Sequence, residues 1–216
     1  MGLSEGTPIM HRLTVIAVAL LFGFSGGQSV AQEAIGAVSR IQGQVSGTSG
    51  GVTEALDLKS SVFLNEVVST GEAARLEVTF SDGTQLTLGE LAKLTLDTFV
   101  FNPTAGSRTI KFGVIGAFRF LSGQVAKLAS SDVRVTTPVA TIGIRGTEFW
   151  GGPIDDQALG VFLLEGAVSV SNAAGEQILS EPGQGTNIAA PGAAPGPVTL
   201  WPQDKIDRAL ATVTFQ

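Results

Sequence analysis

The segment at residues 74–89, ARLEVTFSDGTQLTLG, constrains the fold more than any other stretch of the chain. Leu76, Val78 and Phe80 alternate with polar residues, and the alternation resumes at two leucines after Ser-Asp-Gly-Thr. A period of two places apolar side chains on one face of a strand, and Asp-Gly tolerates the positive φ of a tight turn. The segment therefore predicts an antiparallel β-hairpin.

Short alternating segments of this kind recur from residue 35 to residue 190. A second hairpin is predicted at 166–184, where Val168 and Val170 precede a turn of Asn, two alanines and Gly. This part of the chain lacks the 3.6-residue period of a helix. We therefore predict a single all-β domain over residues 32–188, arranged as a β-roll, a short solenoid or a sandwich of antiparallel hairpins.

Glycine-containing repeats and one apolar segment add detail to this prediction. Residues 41–45, 121–125 and 164–168 each consist of an aliphatic residue, a spacer, glycine, a spacer and valine. Glycine within a strand marks a bulge or a close approach of two backbones, so the recurrence predicts bends at equivalent corners. Chance similarity in a glycine-rich chain is the alternative. Residues 108–120, RTIKFGVIGAFRF, are expected to form a central strand pair.

The composition changes after the β domain. Residues 189–199 are mostly Ala, Pro and Gly, which predicts a linker. Residues 200–216 predict a short helix, with Pro202 in its first turn and three aliphatic residues on one face. We expect this helix to dock on the β domain through Trp201. A tail that binds a partner is the alternative.

The N-terminus has the features of a secretory signal. A His-Arg pair precedes an apolar run over residues 13–24, and small residues follow at the positions that signal peptidase requires. We predict a signal peptide over residues 1–31, cleaved between Ala31 and Gln32, and a periplasmic or secreted protein. The apolar run is shorter than the roughly 20 residues of a membrane span. An uncleaved anchor or a buried helix is the alternative, and translation from Met10 is a further possibility.

The residue types that are missing limit the chemistry. The chain has no cysteine, no tyrosine and one histidine, which lies within the predicted signal peptide. A Ser-His-Asp triad, a Cys-His pair and the usual His/Cys zinc sites cannot be built from the mature chain. We therefore predict that the protein is not an enzyme and holds no cofactor. The net charge of -6 argues against nucleic acid as a partner.

The most distinctive segment is TPVATIGIRGTEFW at residues 137–150, which places an arginine within a run typical of a buried strand. Pro138 favours an extended residue before it, and strand alternation puts Arg145 on the face opposite the apolar side chains. A guanidinium carries five donors in a rigid fork. We predict that Arg145 is a buried structural clamp on backbone carbonyls, or on Glu148 or Glu165. A ligand-binding arginine is the alternative.

This segment resembles the signature of the FecR-type periplasmic domain, together with LNEVVSTGEAARLEVTFSDGTQLTLGELAKLTLD upstream and VFLLEGAVSVSNAAG and EPGQG downstream. The resemblance extends over residues 38–188. It implies an all-β envelope domain in which the motif residues have no assigned catalytic role. The matching residues are Thr137, Pro138, Ala140, Gly143, Ile144, Arg145, Gly146, Thr147 and Phe149.

The chain departs from the regulator after which that family is named. The resemblance implies, for such a regulator, a cytoplasmic segment that contacts a sigma factor, a membrane span, and a periplasmic part that meets a TonB-dependent iron transporter. Because this chain begins with a predicted signal peptide, we expect no direct contact with a sigma factor and no transmembrane segment after cleavage. What carries over is the exported β module.

Three functions are compatible with these residues. We favour a non-catalytic binding or scaffold module of the bacterial cell envelope, which contacts a protein or glycan of unknown identity. The first alternative is an accessory component of a transmembrane signalling relay for metal (iron) uptake. The second is a Ca-binding protein or carboxylate enzyme that uses Asp155 and Asp156, for which a solvated acidic loop is the simpler interpretation. Phe149 and Trp150 are expected in the core, with an exposed aromatic platform as the alternative.

Overall fold

The computed structural model describes residues 1–2, 33–101, 108–123 and 131–216. The predicted signal peptide beyond residue 2, with its cleavage site at Ala31 and Gln32, lies outside the described residues. Contacts divide the chain into residues 1–31 and 32–216, and every element below belongs to the second unit. The elements are β1 (Ala34–Gln42), β2 (Val45–Ser49), β3 (Val52–Ala55), β4 (Ser61–Phe63), β5 (Val67–Thr70), β6 (Arg75–Phe80), β7 (Gln85–Leu88), β8 (Lys93–Phe101), β9 (Arg108–Ile115), β10 (Phe118–Leu121), β11 (Ser131–Thr136), β12 (Thr141–Ile154), β13 (Gln157–Asn172), β14 (Gly175–Leu179), β15 (Gln184–Ile188), β16 (Thr199–Leu200) and α1 (Gln203–Ala211).

These elements confirm the prediction of an all-β domain with one short C-terminal helix. The strands form one curled sheet, whose main path is β3–β2–β5–β8–β9–β11–β12–β10–β7–β6–β1–β4. The long strand β13 branches from β12 and pairs with β14 and β15, and β16 pairs with β15. Neighbouring strands are antiparallel except for the parallel pair β9 and β11.

The hairpin predicted at residues 74–89 is confirmed as β6 and β7. Leu76 lies opposite Leu88, and the chain turns around Gly83, where φ is +83°. The buried carboxylate of Asp82 accepts hydrogen bonds from the Thr84 backbone N–H at 3.0 Å and from its hydroxyl at 2.7 Å. The side chains of Asp82 and Thr84 can therefore be buried in this turn, because they hydrogen-bond to each other.

The strand pair expected in residues 108–120 is corrected by the structure. Strand β9 pairs with β8 and β11, whereas β10 pairs with β7 and β12, so the two strands are central but not paired with each other. The chain turns between them at Gly116, where φ is +93° and a Cβ would lie 2.9 Å from the Cα of Ala92. Only glycine fits this conformation and spacing.

The three repeated glycines all lie at close backbone approaches, as expected. A Cβ at Gly43 would lie 3.0 Å from the Cα of Ala74, and one at Gly123 would lie 2.3 Å from the backbone nitrogen of Thr84. At Gly166, a Cβ would lie 2.2 Å from the carbonyl oxygen of residue 146. Gly166 lies within β13, whereas Gly43 and Gly123 follow β1 and β10, and at each position the backbone passes close to another segment of the chain.

Aromatic side chains in the core hold the strand that carries the motif. Phe149 of β12 packs against Phe118 and Phe120 of β10, with ring centroids 5.7 and 5.6 Å apart. Phe120 also packs against Phe112 of β9 at 5.8 Å. All four are fully buried, and burial of such a side chain stabilises the fold by about 1.5–3 kcal/mol. The motif strand is therefore anchored rigidly from its inner face.

The segment predicted to be a linker, residues 189–199, is held against the sheet by hydrogen bonds. The backbone N–H of Gly196 donates to the Asn187 carbonyl at 2.9 Å, and the Thr186 hydroxyl donates to the Gly196 carbonyl at 2.7 Å. Pro195 is buried within this segment. The segment connects the sheet to the helix and is held in place, because the backbone N–H and C=O of Gly196 both hydrogen-bond to residues of β15.

Helix α1 begins after Pro202 and docks on the sheet, as expected. The Trp201 ring stacks on Phe162 with centroids 5.5 Å apart and meets Trp150 edge-on at 6.1 Å. Ala209 and Val213 complete this second apolar cluster. Within the described ranges, no helix has the length and apolarity needed to cross a membrane.

Candidate functional site

The first motif residues form the turn between β11 and β12. The Thr137 backbone N–H donates to the Ala140 carbonyl at 2.8 Å, and the Thr137 hydroxyl accepts from the Ala140 N–H at 3.1 Å. Pro138 lies inside this turn, where its fixed φ and missing N–H cause no loss. Three of the predicted motif residues therefore shape a connection, and β12 starts at Thr141.

Alternation along β12 is as predicted up to a bulge. Ile142 and Ile144 are buried, whereas Arg145 points to the opposite face. Gly146 then adopts a φ of +58°, and the register between β12 and β13 shifts between Arg145 and Glu148. Such a bulge re-aims the side chains that follow it.

The prediction that Arg145 is a buried clamp is wrong. Its side chain is exposed, and within the described residues it makes no hydrogen bond or ion pair. Glu148 instead accepts from Arg119 of β10, with the Nε at 2.6 Å, and Glu165 is exposed. The exposed guanidinium of Arg145 keeps its hydration, and burying it would cost desolvation free energy that no partner in the described residues would offset.

The side chain that makes buried hydrogen bonds between neighbouring strands is Thr147, two residues after Arg145. Its buried hydroxyl donates to the Ala167 carbonyl at 2.7 Å and accepts from the Ala167 N–H at 3.3 Å. On the other side, the Ser122 hydroxyl accepts from the Thr147 N–H at 2.8 Å, and the Ser122 N–H donates to the Thr147 carbonyl at 3.0 Å. Thr147 thus joins β13 to the end of β10 across the bulge.

Arg145 lines an open groove of about 530 Å³ on the outer face of β11–β14, which we call the β11–β14 groove. Its floor consists of small residues, with Gly143 opposite Ser169 and Arg145 opposite Ala167. A Cβ at Gly143 would lie 2.7 Å from the Ser169 hydroxyl oxygen, so this glycine keeps the floor low.

The charged groups of the β11–β14 groove differ in their partners. The Arg134 Nε donates to Asp132 at 2.6 Å, which leaves that pair internally compensated. Arg145 and Glu176 have no such partner in the described part of the chain. The groove therefore offers one cation and one anion that are free for an external ligand.

The aromatic platform considered for Phe149 and Trp150 is wrong, since both rings are fully buried. Phe149 lies in the main core, and Trp150 lies under helix α1. The Trp150 Nε1 donates to the Thr212 hydroxyl at 3.0 Å, which gives its one polar group a partner.

The acidic pair at Asp155 and Asp156 forms the turn between β12 and β13, with φ values of +50° and +60°. Asp155 binds helix α1, because its carboxylate accepts from Lys205 at 3.1 Å and from Arg208 at 2.9 Å. Hydrogen bonds from Lys205 and then Arg208 lower the pKa of Asp155 below its ordinary value. The described residues contain no group of three or more potential metal ligands. The contact that the structure gives Asp155 is an anchor to helix α1.

Several residues of the site lack any sequence signal strong enough to single them out. The small residues Ala167 and Ser169 and the pair Glu176 and Ile178 come from the second hairpin, more than 20 residues after Arg145. Their alternation predicts a shared face, but only the register with β12 brings that face beside Arg145.

Residues 66–169 match the model of a family described as FecR protein. The protein carries a FecR domain. The matched range contains the whole motif from Thr137 to Phe149 and ends at Ser169, on the floor of the β11–β14 groove.

Among solved structures, two crystal structures of a proposed anti-sigma factor from Parabacteroides distasonis ATCC 8503, at 1.65 and 2.50 Å resolution, share this fold. Each has a TM-score of 0.53 and 16% sequence identity, over 67% of this chain. The chain covers 64% and 63% of the length of those two structures. At this level of identity the likeness concerns the fold alone. No curated protein matches the sequence.

Proposed function

We propose that this FecR-domain protein is a non-catalytic binding module that takes part in envelope signalling. It is exported through its N-terminal signal and acts by contact with another envelope protein or a glycan. The FecR domain over residues 66–169 supports this class of role, as does the likeness of fold to a proposed anti-sigma factor.

The observation that carries the proposal is the position of Arg145. Among the described residues, no hydrogen bond or ion pair of the fold uses this side chain. Thr147 bonds to Ala167 and Ser122, and Arg119 binds Glu148. A planar guanidinium that is open to solvent can bind a carboxylate or another planar anion through two parallel hydrogen bonds. Arg145 therefore has the chemistry of a recognition residue.

The groove suits a macromolecule better than a small substrate. A small-molecule site buries most of its ligand in a concave, largely apolar pocket, whereas this groove is open and has Gly, Ala and Ser along its floor. A partner that rests on it would contact several strands at once. Binding without chemistry is also consistent with the absence of cysteine from the chain and of histidine beyond residue 11.

Site-specific photo-crosslinking in cells tests this proposal. We expect a photoreactive amino acid at Ile178, on the groove, to yield a discrete adduct, and Arg145→Gln to reduce that adduct about tenfold, as for a lost charge-assisted pair of about 1.4 kcal/mol. The same amino acid at Leu200, which is 71% exposed and outside the groove, is the matched control. An adduct from Leu200 but not Ile178, or one indifferent to Arg145→Gln in a folded protein, would refute the proposal.

A second candidate function is an accessory role in a transmembrane signalling relay for metal (iron) uptake. The observation that favours it is the fold shared with a proposed anti-sigma factor. A strain that lacks the gene should then show altered iron-uptake transcripts under iron limitation, restored by the wild-type gene. Unchanged transcripts would remove this candidate and leave the general binding role standing.

A further inference from the structure

Strand β14 is a free edge that runs along the β11–β14 groove. Within the described residues it pairs only with β13. Asn172 and Gly175 close a two-residue turn and pair with each other, so alternate residues of β14 hydrogen-bond to β13. Gln177 and Leu179 fall on the bonded positions, and the backbone N–H and C=O groups of Glu176 and Ile178 point away from the sheet.

The side chains at these two positions also face the groove. Glu176 lies opposite Ser171 and Ile178 lies opposite Ser169, and residues that are directly opposite share a face of the sheet. Ile178 is 62% exposed, and Glu176 is exposed and has no described partner. An apolar and an acidic contact point therefore stand beside two free sets of backbone donors and acceptors.

This edge is five residues long and carries the charged Glu176, but it lacks three other features that commonly prevent strand addition. Its sequence, GEQIL, contains no lysine or proline, and its register with β13 shows no bulge. Natural edge strands are commonly protected by such features, or by a covering segment. The edge of β4 is an example of protection, because Glu66 occupies both outward groups of Phe63 through its carboxylate at 2.9 Å and its N–H at 3.3 Å.

We propose that β14 is a docking edge, at which an extended segment of a partner protein adds to the sheet as a further strand. The segment pairs with the backbone of Glu176 and Ile178. On the groove side it presents an apolar residue to Ile178 and, two residues away, a lysine or arginine to Glu176. This inference rests on the proposed binding function and specifies how the partner is held.

Amide exchange with a defined peptide tests the docking edge. The probe is the N-acetylated, C-amidated peptide Thr-Val-Thr-Lys-Thr-Val-Thr-Lys, added to the full chain labelled with ¹⁵N. The peptide is added until the amide chemical shifts of the protein stop changing. At that concentration, we expect the backbone amide hydrogens of Glu176 and Ile178 to exchange with solvent at least tenfold more slowly than in the free protein. The same peptide methylated on alternate backbone nitrogens should give no protection, because it cannot complete the ladder.

Two matched proline variants separate this edge from edges in general. Ile178→Pro removes an outward donor without breaking a bond to β13, and should weaken peptide binding at least tenfold. Thr53→Pro does the same on the edge of β3, where Thr53 occupies the equivalent outward position, and should leave binding unchanged. Glu176→Lys keeps the backbone intact and should reverse the preference, towards a peptide with glutamate in place of lysine.

The proposal is overturned if the methylated peptide protects as well, if Ile178→Pro binds like wild type, or if β3 is the edge protected. A peptide result of that kind with an Arg145-dependent adduct in cells would remove the docking edge and keep the binding function. Loss of both would remove the function itself.

Discussion

Replacing Thr147 by valine is the most informative perturbation of this fold, because it distinguishes the structural role of Thr147 from that of Arg145. Valine keeps the volume of the buried side chain but removes the hydroxyl that bonds both polar groups of Ala167. A net hydrogen bond contributes about 0.5–1.5 kcal/mol, and an orphaned buried carbonyl costs about 1–3 kcal/mol. We expect Thr147→Val to lower the free energy of unfolding by about 2–3 kcal/mol.

The exposed neighbour should behave differently. Arg145→Ala is a surface substitution that removes no hydrogen bond or ion pair seen among the described residues, and we expect the free energy of unfolding to change by less than about 0.5 kcal/mol. Thr141→Val is the matched control on the same strand, because the Thr141 side chain is half-buried and makes no hydrogen bond of its own in the described structure.

Urea unfolding followed by circular dichroism measures all three variants, and thermal scans should show Thr147→Val unfolding roughly 4–12 °C below wild type. The reasoning fails if Arg145→Ala costs more than about 2 kcal/mol, the size expected for a buried charge partner. It fails equally if Thr147→Val and Thr141→Val are indistinguishable.

Three further predictions follow from the packing of the sheet and the helix. Trp201→Ala should cost about 3–5 kcal/mol by removing the buried ring under α1, against less than about 0.5 kcal/mol for the exposed control Leu200→Ala, both measured by guanidinium unfolding. Gly166→Ala should lower the free energy of unfolding by about 2–4 kcal/mol, since φ is +82° and the new Cβ would collide with a carbonyl oxygen. The control Gly192→Ala, where φ is +83° but the space around the new Cβ is open, should lower it by only about 1–2 kcal/mol in the same assay. Asp155, whose pKa is lowered in the folded protein, stabilises it above the unfolded value of about 3.9, and this contribution is lost as pH falls through the folded pKa. The difference in melting temperature between wild type and Asp155→Asn should therefore be constant from about pH 5 to 7 and shrink below about pH 4; a difference that grows on acidification would contradict the assignment.

The hairpins are the part of this fold that sequence reasoning predicts well. Around Gly83 and between Asn172 and Gly175, apolar alternation and turn residues act within about 15 residues, so local chemistry determines the pairing. Local chemistry also predicts helix α1, since Pro202 marks its start. The predicted apolar residues Ile206 and Leu210 pack half-buried against the second apolar cluster, whereas the buried positions of the helix are Lys205 and Ala209.

Which face of a strand is covered cannot be predicted from the same pattern. Alternation correctly separates Ile144 from Arg145, but it does not say whether the second face meets solvent or another element. On β12, both situations occur: Trp150 is covered by α1 and Arg145 is open. The buried-clamp prediction failed because that choice depends on segments distant in sequence.

The position of β10 in the sheet has a consequence for how the protein can fold. Strand β10 sits between β7, which precedes it along the chain, and β12, in which the partner of Leu121 is Glu148, 27 residues later. A nascent chain that stops before Thr141 thus leaves β10 with one neighbour and β11 with only β9. Pairings of this kind close long loops before they gain any stability, which slows folding and leaves edges open meanwhile. We therefore expect the sheet to complete its strand pairing only after the last third of the polypeptide has been synthesised.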